Sequence, residues 1–245
     1  MRRLMNAFSA FLILALIGLG IMELQRFQEL EKMNNDIREM VVMIPEKDDP
    51  SGADPDDPFE RRIDFDTLQS INPDIKGWIY IPGTKIDYPI LTGESNEIYL
   101  NRNLYGQYSS LGSVFTYSGV NLQDDSLVRI YSHNMITKQM FGNVADYSSQ
   151  EFADSHAVMY IYTPDRTKEC HLVSAFGCRY NDRVFKTVTE DIETYANELI
   201  RRSEVETQEQ EFYRQIYTLG TCRGYLGTPN RYTASFSVVK EKFIL

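Results

Sequence analysis

The chain has 245 residues, 42% of them hydrophobic and 12% aromatic, which is enough for one domain with a real core plus appendages. Its formal charge of -10, with no clustered Lys and Arg in the soluble stretches, excludes a nucleic-acid partner, because phosphate binding needs such clusters. Three cysteines are too few for a disulfide framework, and the odd number leaves at least one thiol unpaired.

The first predicted element is the uncharged run Leu4 to Met22. As a helix it covers roughly the 30 Å of a bilayer's hydrocarbon core. No small-x-small cleavage site follows, and the run passes directly into the charged, helix-favouring ELQRFQELEKMNNDIREM, so residues 1–22 read as an uncleaved membrane anchor. Arg2 and Arg3 precede it and place the N-terminus in the cytoplasm, with the rest of the chain outside the cell. Residues 23–58 read as a juxtamembrane helix followed by the Pro- and Asp-rich linker Pro45 to Pro58. Residues 59–245 are the expected globular domain, entered through a short helix, DFDTLQSI.

From Gly77 onward the apolar runs are short, rich in β-branched and aromatic residues, and separated by turns. The runs GWIYI, IDYPIL, GSVFTY, SLVRIYS, AVMYIYT, ECHLVSAFG, QIYTLGT and RYTASFSVVKEKFI make eight strands, which suggests a closed barrel. One long helix, Thr189 to Ser203, interrupts them between the sixth and seventh strands, with acidic residues in its first turn and Arg201 and Arg202 at its end. Cys170 and Cys178 bracket one strand. Eight residues at about 3.3 Å each hold them far beyond disulfide reach, so both read as packing residues.

Cys222 has a different setting. It ends the strand Tyr217 to Cys222, and after the loop Arg223 to Asn230 the next strand opens on Arg231. A hairpin brings these two ends together, and a guanidinium there favours the thiolate and can donate to a developing oxyanion. His133 ends the strand Leu127 to His133 and opens a turn-prone segment, where catalytic groups are commonly displayed. His156, in a polar turn, and His171, within a strand, are weaker candidates for a base.

The segment TLGTC, with an arginine nine residues after the cysteine, resembles the sortase signature TLxTC…R, and YSHNM resembles the class B form of the catalytic-histidine segment. INPDIKGWIYIPGTKIDYPIL, YLNRN, GSVF and the long helix are also similar to class B, so the resemblance covers Phe59 to Leu245. It implies a mainly β fold: a closed eight-stranded sortase-type barrel with N-terminal helices. The catalytic roles fall to His133, Cys222 and Arg231, with Thr221 as a substrate-contacting neighbour. It also implies a transpeptidase that cleaves a C-terminal sorting motif after Thr and passes the thioacyl group to a peptidoglycan amine. The implied partners are surface proteins bearing that signal, the peptidoglycan precursor amine and, through the N-terminal helix, the membrane. No cofactor and no metal is called for. The alternatives are a pilin-polymerising sortase, a cysteine hydrolase and a silent wall-binding barrel. Asp57-Pro58-Phe59 is similar to the lid tripeptide of class C sortases, whereas the lack of a C-terminal span favours class B.

Overall fold

A computed structural model describes residues 2–46, 54–186, 191–208, 210–222 and 230–244, with residues 2–4, 7 and 222 described by backbone alone. The chain divides into two compact units, Met1–Met40 and Val41–Leu245. The first is α1 (Arg2–Val41), one unbroken helix across the point where the sequence separates an apolar span from a charged helix. It is long and apolar enough to cross a membrane, with a mean hydropathy of 1.9 over its most apolar stretch.

The second unit opens before Phe59. Strand β1 (Val42–Met43) pairs antiparallel with β2 (Arg62–Ile63). Phe59 is buried and packs edge-on against Tyr160 at 5.8 Å, and Tyr162 donates its hydroxyl to the Pro58 carbonyl. Helix α2 (Phe65–Ile71) follows, capped by Asp64, whose carboxylate accepts from the Thr67 amide at 2.9 Å and the Thr67 hydroxyl at 2.6 Å.

Eight further strands close the barrel. These are β3 (Ile75–Tyr80), β4 (Asp87–Thr92), β5 (Val114–Thr116), β6 (Leu127–Tyr131), β7 (Val158–Tyr162), β8 (Arg166–Arg179), β9 (Ile216–Cys222) and β10 (Asn230–Phe243). Their order around the barrel is β10-β8-β7-β3-β4-β5-β6-β9. The pairs β4·β5 and β6·β9 are parallel, and the others are antiparallel. Each expected strand is present, because alternation of large apolar and small polar residues suits a pleated wall. Strands β8 and β10 are the long ones. Their ladder is interrupted between Ser235 and Phe236 and between Val238 and Lys240, where an extra residue on one strand lets the pair bend around the barrel.

The core is apolar around Trp78, Ile79, Ile90, Val128, Ile130, Leu219 and Phe236, all buried. Where it includes charge, the charge is paired or hydrogen-bonded. Asp87 receives Arg61 at 2.5 Å and the Trp78 indole N–H at 2.6 Å, and the Arg61 guanidinium lies 4.3 Å above the Tyr80 ring. Lys168 is also buried, donating to the Gln123 carbonyl and to Gln215 Oε1 at 2.5 Å each, and burial holds its pKa below the usual lysine range. It thereby fastens the loop before β6 to the start of β9.

Helix α3 (Gln150–Ser155), absent from the sequence reading, precedes β7, and at six residues it is too short to show a period. Helix α4 (Ile192–Arg202) lies in the insert between β8 and β9, the sixth and seventh barrel strands. It begins behind Asp191, which accepts from the Thr194 amide at 3.0 Å and the Thr194 hydroxyl at 2.8 Å. The expected start at Thr189 falls in residues 187–190, outside those described. Tyr195, Ala196 and Leu199 sit on one helix face and pack on Phe176, Val184 and Ile216, roughly 1.5–3 kcal/mol for each large side chain.

Candidate active site

The barrel topology brings the candidate residues to one end. Parallel pairing sets Tyr131 of β6 opposite Gly220 of β9, and two residues further along the strands are His133 and Cys222. The ladder is carried one step past β6 by the Ser132 amide, which donates to the Gly220 carbonyl at 3.4 Å. Antiparallel pairing sets Cys222 opposite Arg231 at the start of β10. His133, Cys222 and Arg231 therefore stand at the ends of three adjacent strands, β6, β9 and β10. The loop of residues 223–229 that joins the last two lies outside the described residues.

Arg231 is also in register with Cys178 on its other side. Three cysteines thus reduce to one candidate. Burial pushes the Cys178 thiol up to about 12 and the Cys170 thiol higher still, so neither supplies a thiolate near neutral pH. Cys222, at the strand end, is the one left.

His133 is held from both sides. Its backbone carbonyl accepts from the Phe141 amide at 3.0 Å, and its ring Nε2 lies 2.9 Å from the Leu100 carbonyl oxygen. The neighbouring Ser132 hydroxyl donates to the Ser113 carbonyl at 3.0 Å, tying the end of β6 to the segment before β5. The other two histidines are engaged elsewhere: His156 stacks on Phe152 at 4.0 Å, and His171 pairs with Glu169 at 2.9 Å.

A groove of about 400 Å³ runs past these strand ends. His133, Thr221 and Arg231 line it, with an aromatic wall of Phe115, Tyr117, Tyr131, Tyr180 and Phe185. Tyr117 stacks on Tyr131 at 4.7 Å, and Tyr131 meets Phe185 at 5.9 Å. Gly220 makes that wall feasible, since a Cβ there would stand 2.9 Å from the Phe185 ring and 3.2 Å from that of Tyr131. Tyr180 and Phe185 come from the insert between β8 and β9, which is strapped to β6 by Arg129, donating from Nε to the Val184 carbonyl at 2.5 Å and from Nη2 to the Lys186 carbonyl. Thr221 is 2% exposed, and its Oγ1 has no hydrogen-bond partner among the described residues. An unspent hydroxyl is thus present beside the cysteine.

Asn96, Glu97 and Leu100 complete the groove from the β4–β5 connection. Leu100 falls within the YLNRN segment that resembles class B, whereas Asn96 and Glu97 lie far from the Cys222 hairpin in the chain and belong to no alternating run. Asp57-Pro58-Phe59 is not among the groove residues. Its phenylalanine is spent against Tyr160 of β7.

No family model matches the chain. Two curated relatives do: sortase B of Staphylococcus aureus, 28% identical over 187 residues and covering 73% of this chain and 76% of that protein, and sortase B of Listeria monocytogenes, 27% identical over 190 residues with 76% of each covered. Among solved structures, the Staphylococcus aureus sortase B–substrate complex superposes with a TM-score of 0.66 at 27% identity, covering 72% of this chain and 84% of that one. The fold of Bacillus anthracis sortase B extends over 89% of this chain and 99% of its own, with a TM-score of 0.72 at 24% identity. Fold and sequence similarity together support a sortase, and so a cysteine transpeptidase. The class they support is B, the class of the relatives just named.

Proposed function

We propose that this sortase cleaves a C-terminal sorting motif after Thr and joins the surface protein that carries it to a peptidoglycan amine, with Cys222 as nucleophile. The Cys222 thiolate adds to the threonine carbonyl carbon. The C–N bond then breaks, and the departing amine takes its proton from the His133 imidazolium. The acyl group is left as a thioester on Cys222. An incoming amine attacks that thioester, neutral His133 removes a proton from it, an amide forms and the thiolate is restored. One amide replaces another, so no external energy source is needed. Arg231 donates to the oxyanion formed in each half-reaction, and Thr221 offers its unspent hydroxyl to the bound peptide.

The observation that carries this reading is the convergence of His133, Cys222 and Arg231 on the ends of β6, β9 and β10 beside an open groove. The groove's aromatic wall suits an extended peptide. In support on the substrate side, a relative has been solved as a substrate complex, and sortase B has also been solved in complex with triglycine.

The test lies in the fate of the thioester, because a hydrolase shares every step up to it. An amine held in the groove gains the advantage of proximity over bulk water. Slow cleavage of a sorting peptide in water, diverted to amide product by added triglycine or a diamino-acid amine, is the expected result by mass spectrometry. Free threonine acid dominating at saturating amine, with fast cleavage in water, would make the protein a protease.

The same reading places α1 in the cell membrane with Arg2 and Arg3 on the cytoplasmic side and the barrel outside. Protease added to intact protoplasts is expected to remove the barrel. Survival of the barrel until lysis would reverse that orientation.

A further inference from the structure

The nitrogen of His133 that touches Leu100 fixes which nitrogen is available for chemistry. Nε2 is 2.9 Å from the Leu100 carbonyl oxygen, and a carbonyl oxygen only accepts. Nε2 therefore carries hydrogen whenever the contact is made. Nδ1 alone can change its protonation state without breaking that bond.

The carbonyl is itself held in place. Leu100 closes the short 3-10 turn Ile98–Leu100, its amide donating to the Glu97 carbonyl at 3.1 Å. The preceding Tyr99 is buried, and its hydroxyl donates to Asp74 Oδ2 at 2.7 Å and accepts from Asn72 Nδ2 at 3.0 Å. The Tyr99 carbonyl in turn accepts from the Ser113 amide at 3.0 Å. Between turn and imidazole sits Gly112, with φ of +57°. A Cβ at that position would lie 2.6 Å from the Leu100 oxygen and 3.0 Å from His133 Cδ2. Any side chain there is strained in the left-handed region and collides with the contact itself.

We propose that the Leu100 carbonyl, with Gly112 keeping its approach open, is the positioning element of the base: it fixes neutral His133 as the Nε2–H tautomer and reserves Nδ1 for proton exchange with Cys222. The orienting group is a backbone carbonyl where many catalytic histidines use a carboxylate. The inference rests on the acyl-transfer roles proposed above for Cys222 and His133. His156 supplies an internal contrast, because its Nδ1 lies 2.9 Å from the Phe152 carbonyl and must carry the hydrogen there.

The experiment is long-range ¹H–¹⁵N NMR of the full-length chain in detergent, labelled at histidine, with signals assigned by His156→Asn and His171→Asn, and recorded where the rings are neutral. His133 is expected as the Nε2–H tautomer and His156 as the Nδ1–H tautomer. In Gly112→Ala the His133 pattern is expected to move toward a mixture of tautomers while kcat falls at least about tenfold, the direction set by losing a tautomer-fixing partner. His133 found as Nδ1–H in the unmodified protein would overturn the inference, whether or not the variant folds. A folded Gly112→Ala protein with unchanged tautomer and unchanged kcat would do the same. Full cleavage by Cys222→Ala would instead sink the nucleophile assignment, and the tautomer spectrum distinguishes that failure from this one.

Discussion

Cys222→Ala is expected to lower cleavage of a sorting peptide by at least about 10⁴-fold, the scale seen when a covalent nucleophile is removed. Neither other thiol can substitute. Cys170 is fully buried, and Cys178 stands one strand beyond Arg231 with its pKa pushed up to about 12 by burial. A thiol at that pKa is almost entirely protonated near neutral pH, and the protonated form is a poor nucleophile. Strand β9 should survive the change, since its ladders to β6 and β10 are made by backbone groups from Ile216 onward. The measurement is turnover beside the thermal unfolding midpoint. Loss of activity at an unchanged midpoint is expected, and residual cleavage near the native rate would show that the nucleophile lies elsewhere.

Arg231→Lys is the second large effect, with turnover expected to fall at least about a hundredfold, the scale of removing one oxyanion-hole donor. Register holds position 231 opposite Cys222 for either side chain, so the positive charge stays near the thiol. What is lost is the planar fork of donors, which can serve an oxyanion and a substrate carbonyl together, whereas an ammonium is a compact point charge. Burst kinetics with a chromogenic acyl substrate separate the two contributions. A normal acylation rate in the lysine variant would mean that charge alone suffices.

The contrast between the two strands of the Cys222 hairpin shows what alternation can and cannot report. In β10 the sequence divides Arg231, Thr233, Ser235 and Ser237 from Tyr232, Ala234, Phe236 and Val238, which reads as a polar face and an apolar one. Both faces are in fact buried from Tyr232 to Val238, because the insert and the neighbouring strands cover the side that alternation would leave to solvent. The Thr218 and Ser235 hydroxyls satisfy each other there at 3.0 Å. Period told which residues share a face, and packing decided whether the face was wet. Strands β1 and β2 escaped notice for a simpler reason. Two-residue strands have no period, and they form only because the segment from Phe59 to Ile63 is pinned by Tyr160, Tyr162 and the Arg61–Asp87 pair.

The sequence by itself determined the eight barrel strands and the helix between the sixth and seventh, and it singled out the three residues whose chemistry suits the proposed acyl transfer. Each of these is written locally, as a two-residue alternation, a capped amphipathic turn or a reactive side chain at a strand end. Only the tertiary structure decided that His133, roughly ninety residues from Cys222 in the chain, shares its end of the barrel, because parallel pairing of β6 with β9 is a long-range choice set by barrel closure. It alone brought Leu100 and Gly112 to the imidazole, and Tyr180 and Phe185 over Gly220. Those contacts join segments that carry no shared pattern, and such contacts come into being only when the sheet closes.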